Sequence, residues 1–94
     1  MPVYFIVQEQ IHDREAMAGY GEQARAAPSP GTVIAVDDAQ TVLEGDWHGE
    51  RTVIIEFEDE AAFRAWYDSP EYQVALQTRL AATDSRAALV HGRE

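Results

Sequence analysis

The sequence contains no cysteine, few basic residues and no long apolar run. Without cysteine the chain can form no disulfide, no thiolate metal site and no thiol nucleophile, which agrees with a reducing compartment. No apolar run approaches the roughly 18 to 20 residues that span a bilayer, and no basic and apolar leader opens the sequence. We therefore expect a soluble, cytoplasmic protein that is neither exported nor inserted into a membrane.

Acidic side chains outnumber basic ones. Seventeen Asp and Glu residues oppose seven Lys and Arg residues, which gives a formal net charge of -10 at pH 7. Such a charge repels phosphate backbones and anionic membrane surfaces over roughly one Debye length. We expect neither nucleic acid nor membrane as a partner, and we attribute the acidity to solubility rather than to a cationic ligand.

The length of the chain limits the core that it can build. Residues 1–94 are expected to form one small domain, and such a chain buries only roughly 60 to 65% of its unfolded surface. Because disulfides are excluded, further support has to come from the core itself or from a partner chain. An oligomer would supply that support.

Apolar patterns at the start of the chain predict a strand, a helix and a second strand. Residues 3–11 are rich in β-branched and aromatic side chains, which is typical of a strand with two apolar faces. Asp13 then caps a helix over residues 14–27, where apolar positions recur at helical spacing. The Pro-containing segment 28–31 ends this helix, and residues 32–36 form the second strand.

The second half of the sequence repeats this order. Residues 41–44 are expected to extend after a turn, and residues 51–57 form the third full strand. Carboxylates at residues 58–60 favour the start of a helix because they complement its dipole. The Ser-Pro pair at 69–70 interrupts this helix and restarts it, since Ser suits the N-cap and Pro the first helical position. Residues 85–91 close the chain as the fourth strand.

Two successive strand-helix-strand units are typical of a ferredoxin-like α+β sandwich, in which helices cover one face of a four-stranded antiparallel sheet. In the first strand, however, Tyr4 and Ile6 lie on the face opposite Phe5, so both faces are apolar. Ile54 opposes Ile55 in the same way. An uncovered apolar face of several hundred square ångströms exceeds what soluble monomers usually tolerate. We therefore expect a homodimer that packs sheet to sheet.

Three segments and the opening strand resemble one known family. The segments are residues 43–47 (LEGDW), residues 51–57 (RTVIIEF) and residues 66–72 (WYDSPEY), of which the last is quite specific. On these segments nearly the whole chain resembles the family of domain of unknown function 1330, within the dimeric α/β barrel superfamily. One departure is the Ser-Pro-Gly at residues 29–31, where family members often carry a glycine pair.

The resemblance implies a ferredoxin-like protomer that pairs its sheet with a second copy to form a dimeric α/β barrel. Muconolactone isomerases and the cofactor-free antibiotic biosynthesis monooxygenases are built in this way. The family has no settled reaction, so the resemblance implies a fold and a dimer rather than a chemistry. Site residues have to be sought from their own chemistry.

Two charged residues of the third strand are candidates for catalysis. Arg51 is placed to hold a carboxylate or an enolate bidentately, or else to pair with Glu44 or Asp46 on a neighbouring strand. Glu56 lies among apolar residues, where burial would raise its pKa and make it a general acid or base. Alternatively Glu56 pairs with Arg51, with Arg64 or with an arginine of the other subunit. The sequence leaves both alternatives open.

Histidines offer one further catalytic candidate and no metal site. His48 lies in a turn, where it is either a proton shuttle near neutral pH or a solvated side chain. His12, His48 and His91 lie in separate segments without ligand spacing, so we expect no metal. The sequence also has no nucleophile elbow and no Gly-rich phosphate loop, which disfavours acyl transfer and nucleotide chemistry.

Aromatic side chains are the candidates for ligand binding. Tyr20, Trp66, Tyr67 and Tyr72 are expected to line a pocket between helices and sheet, and Trp47 lies close to Arg51 in the sequence. Such rings suit planar organic ligands. The alternative is that they form the core, which is the commoner role of aromatic residues at helical spacing.

Three functions remain open at this point. The first is a dimeric module that binds a small organic metabolite and needs no cofactor. The alternative is a cofactor-independent enzyme of the isomerase or monooxygenase type, in which aromatic rings enclose the substrate while Arg51 and Glu56 handle charge and protons. The third is an interaction element without a ligand.

Overall fold

One four-stranded sheet and a layer of helices organise the chain, of which the computed structural model describes residues 1–93. The elements are β1 (Val3–Ile11), α1 (Arg14–Arg25), β2 (Thr32–Asp37), β3 (Arg51–Phe57), α2 (Glu60–Tyr67), α3 (Pro70–Ala82) and β4 (Thr83–His91). The strands pair antiparallel in the order β2-β3-β1-β4, so β1 and β3 are central. The predicted α+β, ferredoxin-like class is confirmed.

Each helix begins at a side chain that accepts a hydrogen bond from the first turn. The carboxylates of Asp13 and Asp59 accept backbone N–H bonds of 3.0 and 2.8 Å from α1 and α2. The Ser69 hydroxyl accepts from the Tyr72 N–H at 3.1 Å, and Pro70 occupies the start of α3. The predicted break and restart of the helix at the Ser-Pro pair is confirmed.

The odd-numbered residues of β1 point towards the helices and form the core. Val3, Phe5 and Val7 are at most 4% exposed. Helices α2 and α3 cover them with aromatic rings, and the Trp66 and Tyr72 ring centroids lie only 4.0 Å apart. Rings of this kind bury roughly 150 to 250 Å² each, so they dominate the core of so small a domain.

The even-numbered residues of β1 point to the opposite face, which lies outside the helix layer. The shortest dimension of the molecule is 16 Å, which accommodates one sheet and one layer of helices. Ile6 of this face lies opposite Ile54 of β3 and Ala88 of β4, and Ile54 in turn pairs with Ala35 of β2. An apolar row therefore crosses the open face.

The connection from β2 to β3, residues 38–50, is irregular. The expected extension of residues 41–44 is wrong, because these residues form no strand. The loop instead crosses the open-face end of the sheet, where the Trp47 indole N–H donates to the Thr52 hydroxyl at 2.9 Å. At its tip Leu43 is 88% exposed. The loop therefore exposes apolar side chains to solvent.

Gly49 brings the end of this loop against β1. Its φ of 79° lies in the left-handed region, and a Cβ atom there would overlap the backbone of Glu9. The next residue, Glu50, donates its N–H to the Glu9 carbonyl at 2.9 Å. Its carboxylate accepts a 2.7 Å bond from Arg14 of α1. The close approach at Gly49 therefore fixes the backbone of Glu9.

We expect Gly49→Ala to destabilise the protein by about 1 to 3 kcal/mol, because Ala adds left-handed strain and a backbone overlap. Gly19→Ala is the matched control, since a Cβ atom there meets nothing within 4 Å. It lies inside α1 and should stabilise by about 0.5 to 1 kcal/mol. Urea unfolding at one fixed protein concentration measures both. Equal effects at the two glycines would contradict the role of Gly49.

Candidate functional site

A pocket of about 300 Å³ lies between the sheet and the helices α1 and α3. Strands β1 and β3 form its floor, and it opens at the β2 edge, where Val33 and Val36 are 57% and 56% exposed. Ligand sites usually measure about 300 to 1,000 Å³, so the pocket suits a small organic molecule. It is lined by Phe5, Val7, Glu9, Met17, Tyr20, Gly21, Val33, Val36, Arg51, Val53, Ile55, Tyr72 and Arg79.

Glu9 is the most unusual group in this pocket, because it is a carboxylate with only 3% of its surface exposed. Its Oε2 atom has no hydrogen-bond partner, and none of the ion pairs within residues 1–93 includes it. Burial raises the pKa of Glu9 above its ordinary value of 4.5, although Arg79 and Arg51 oppose the shift. A buried acceptor without a partner costs free energy, so this position needs a reason beyond packing.

Two guanidinium groups line the same pocket. Arg51 is paired with Glu9 in the β1–β3 register, and its side chain donates to the Asp38 carboxylate at 2.6 and 3.2 Å. This hydrogen bond lowers the pKa of Asp38. Arg79 of α3 is only 3% exposed and donates to the Ser85 hydroxyl at 3.1 Å. The pocket thus combines one unpaired carboxylate and two cations with apolar walls.

Tyr20 and Tyr72 supply two neutral hydroxyl groups. Their oxygens lie 2.9 Å apart, which joins α1 to α3 by a hydrogen bond. Tyr72 is fully buried. Burial raises the pKa of Tyr20 well above its ordinary value of 10, and the neighbouring Tyr72 adds to the shift. The Tyr20 hydroxyl therefore stays protonated at physiological pH.

The structure brings three of the predicted site residues into this pocket, namely Arg51, Tyr20 and Tyr72. Glu56 lies elsewhere. It faces the open side of the sheet, where it pairs with Tyr4 in the β1–β3 register and with Thr32 in the β2–β3 register. A role for Glu56 together with Arg51 at one ligand would therefore have to act across the sheet. The roles of these residues stay predictions.

His48 and Trp47 belong to the 38–50 loop rather than to the pocket. The His48 Nε2 atom lies 2.8 Å from the backbone oxygen of Asp84, at the start of β4. Trp47 is bound to Thr52 on the open face and is 45% exposed. Neither is among the residues that line the pocket.

Trp66 and Tyr67 lie in the core. The Trp66 indole N–H donates to the Ala27 backbone oxygen at 3.2 Å, which ties α2 to the end of α1. Tyr67 stacks on Phe63 with ring centroids 5.1 Å apart and meets Phe5 edge-on. Trp66 also borders an outer groove of about 400 Å³, whose lining includes no buried charged group. The inner pocket is the better candidate.

Glu9 and Arg79 were not recognised from the sequence. The alternation of side chains along a strand could have indicated Glu9. It is odd-numbered like Val3, Phe5 and Val7, so it lies on the same face of β1 as they do. Recognising it required knowing which face the helices cover. The burial of Arg79 is harder to predict from the sequence. A basic residue near a helix C-terminus is ordinarily solvent-exposed, where its charge interacts favourably with the helix dipole.

Metal-binding clusters and membrane-spanning helices are both absent from the described chain. Residues 1–93 hold no group of three or more His, Asp and Glu side chains placed to bind a metal ion. In the same residues no helix has both the length and the apolar character needed to cross a membrane.

The comparison with protein families agrees with the fold. The model of the domain of unknown function DUF1330 matches residues 2–93. The chain belongs to the DUF1330 family. The resemblance of residues 43–47, 51–57 and 66–72 is thereby confirmed. A search of proteins with curated functions finds no match to this DUF1330 chain.

Solved structures share the fold at low sequence identity. A protein of unknown function from Rhodopseudomonas palustris is 23% identical, with a TM-score of 0.77 over 99% of this chain and 83% of its own. A dimeric ferredoxin-like protein of unknown function from Jannaschia sp. CCS1 is 16% identical, with a TM-score of 0.71 over 98% and 100%. SnoaB, a cofactor-independent oxygenase from Streptomyces nogalater, is 18% identical, with a TM-score of 0.62 over 99% and 94%. At these identities the likeness shows the fold alone.

We expect Glu9→Gln to stabilise the DUF1330 protein at neutral pH by roughly 1 kcal/mol, because the amide cannot ionise in the pocket. A raised pKa means that the protonated carboxyl favours the folded state, so this contribution is lost as pH rises through the folded pKa. Below pH 4.5 the carboxyl is protonated in folded and unfolded chains alike, and the advantage of the variant should vanish.

Urea unfolding from acid to neutral pH measures this difference. Glu58→Gln, at an exposed position just after β3, removes the same charge and is the control. A stability difference for Glu9→Gln that is the same at every pH would contradict the assignment of a raised pKa to Glu9.

Proposed function

We propose that this DUF1330 protein is a homodimer whose protomers each bind a small, largely apolar organic metabolite in the pocket between α1, α3 and the sheet. The observation that carries the proposal is the combination of about 300 Å³ of interior space with an unpartnered, buried carboxylate in its wall. Apolar walls supply binding energy, and a few placed polar groups supply orientation.

The shape of the pocket favours a flat ligand. Phe5, Val53 and Ile55 give it a floor of sheet residues, and the Tyr20 and Tyr72 rings bound it on the helix side. These two rings lie at 80° to each other, so the helix side offers one ring face and one ring edge. Stacking and edge contacts with such walls suit a ring system of one or two rings.

A cofactor-independent enzyme is the second candidate function, and Glu9 is the observation that favours it. A buried carboxyl with a raised pKa is the usual form of a general acid or base. SnoaB, which shares the fold, is a cofactor-independent oxygenase. In this second proposal Glu9 would take the proton role that the sequence assigned to Glu56, with Arg51 as the anion anchor.

The homodimer would form through the open face of the sheet. The apolar row that includes Ile6 and Ile54 lies on the sheet face opposite the helices, and both side chains are only partly buried within residues 1–93. The relative from Jannaschia is dimeric. This assembly would leave both pockets accessible, because they lie on the helix side of each sheet. Cytoplasmic location, which rests on the absence of cysteine, belongs to the same proposal.

Gly21 provides a test of the pocket with 2-methoxynaphthalene as the probe. Gly21 lines the pocket, and a Cβ atom there meets nothing within 4 Å, so Gly21→Leu should fill the pocket without disturbing α1. We expect the protein to bind one probe molecule per protomer in calorimetric titration and the variant to bind at least about tenfold more weakly.

Gly19→Leu is the matched control, because Gly19 lies in the same helix with equal room and does not line the pocket. It should bind the probe like the parent protein. Equal binding by both variants, or no saturable binding by the parent, would refute the pocket proposal.

The dimer is tested by Ile6→Asp on the open face. A charge at this position enters the interface twice because of the two-fold symmetry, and we expect the dimer dissociation constant to rise by at least roughly 100-fold. Native mass spectrometry and sedimentation at micromolar concentration measure it. Val74→Asp is the control, since Val74 is 61% exposed on α3 and should leave the dimer intact. A monomeric parent protein, or a dimer that Ile6→Asp leaves unchanged, would contradict this assembly.

A further inference from the structure

We propose that Glu9 is the ligand-anchoring residue of the pocket and that it accepts a hydrogen bond from a hydroxyl group of a neutral, flat organic ligand. This inference deepens the proposed function and rests on it. It assigns a chemical class to the ligand, namely an aromatic or enolic alcohol rather than an amine or a carboxylate.

The first step of the argument is the state of the Glu9 side chain. It is 97% buried, being only 3% exposed, and it lines the pocket. Its Oε2 atom has no partner among residues 1–93. More than nine-tenths of buried polar groups in proteins are hydrogen-bonded, so a pocket-lining residue whose acceptor lacks a partner is a candidate for a donor that a ligand supplies.

The second step concerns the charge of that donor. Arg79 and Arg51 both interact electrostatically with Glu9, and Arg51 is further engaged with Asp38. The Asp38 carboxylate also acts on Glu9, so two guanidinium groups balance two carboxylates and leave no net negative potential to attract an ammonium group. A carboxylate ligand would meet Glu9 itself as a like charge. A neutral hydroxyl satisfies Oε2 without adding a charge to a buried site.

The third step is the rigidity of the anchor. The Glu9 backbone lies in the centre of the sheet between Arg51 of β3 and Ser85 of β4. Its carbonyl accepts the Glu50 N–H at 2.9 Å, where Gly49 permits the loop to approach. The side chain therefore starts from a fixed backbone, which is what an orienting group in a binding site requires.

The test compares two probes of the same ring system, 2-naphthol, which carries a hydroxyl donor, and 2-methoxynaphthalene, which does not. Calorimetric titration gives the affinity ratio of the two probes for the parent protein and for Glu9→Leu. Because a hydrogen bond to a charged acceptor is strong, we expect the ratio in favour of 2-naphthol to fall by on the order of tenfold to a hundredfold in Glu9→Leu. Solvation of the free probes cancels in this comparison.

Glu9→Gln is the second variant, since it keeps the shape of Glu9 and its carbonyl oxygen accepts only a neutral hydrogen bond. Its ratio should lie between those of the parent protein and Glu9→Leu. A purely structural role for Glu9 would weaken both probes equally and leave the ratio unchanged. That result would overturn the inference.

The two proposals fail in different ways. If both probes bind the parent protein, lose affinity in Gly21→Leu, and keep their ratio in Glu9→Leu, the pocket stands and the role of Glu9 is refuted. If neither probe responds to Gly21→Leu, the pocket proposal fails and the Glu9 inference falls with it. Tighter binding of 2-naphthylmethylamine, which is an ammonium ion at neutral pH, than of 2-naphthol would refute the neutral ligand class.

Discussion

The register of β1 against its two neighbours determines what lies on each face of the sheet. Glu9 pairs with Arg51 of β3 and with Ser85 of β4, and the same register places Phe5 beside Ile55 and Leu89. Since side chains alternate between faces, a slip of one residue would move the whole inward set to the open face. Core and pocket therefore depend on one constraint. The Glu50 hydrogen bond to the Glu9 carbonyl reinforces it from the loop.

Local chemistry explains why the helices were predictable from the sequence. A capping side chain and the first turn that it caps lie within three residues of each other. The start of a helix can therefore be predicted from local sequence, as at Asp13, Asp59 and Ser69. The segment 41–44 was not predictable in this way. A strand needs a partner, and the β2–β3 pairing already ends at Asp37 and Thr52. The apolar residues beyond that point lie in the loop and have no neighbouring strand with which to form backbone hydrogen bonds.

The site was only partly predictable, because its polar partners come from distant segments. Arg51 was expected to pair with Glu44 or Asp46 if it was not an anion anchor, and the structure pairs it with Asp38 instead. The turn after β2 brings Asp38 beside the start of β3, a contact that sequence spacing does not encode. Glu9 was missed for a related reason: the strand segment around it contains Gln8 and Gln10 and resembles a solvated strand end. That the Glu9 side chain points inward is known only once the position of the helices over the sheet is known.

In the proposed function the two faces of the sheet divide assembly from binding, and Glu9 would connect binding to stability. A buried, unpaired carboxylate is a burden for a chain of 94 residues, whose core is small for its surface. A ligand that donates to Oε2, as proposed, would remove part of that cost in the folded state only, because the unfolded chain has no pocket. Binding then stabilises the fold by mass action, in proportion to the logarithm of ligand concentration above its dissociation constant. In the proposed assembly, a sheet-to-sheet dimer would supply the stability that the unliganded pocket gives up, so the open face would allow the helix face to keep an unpaired carboxylate.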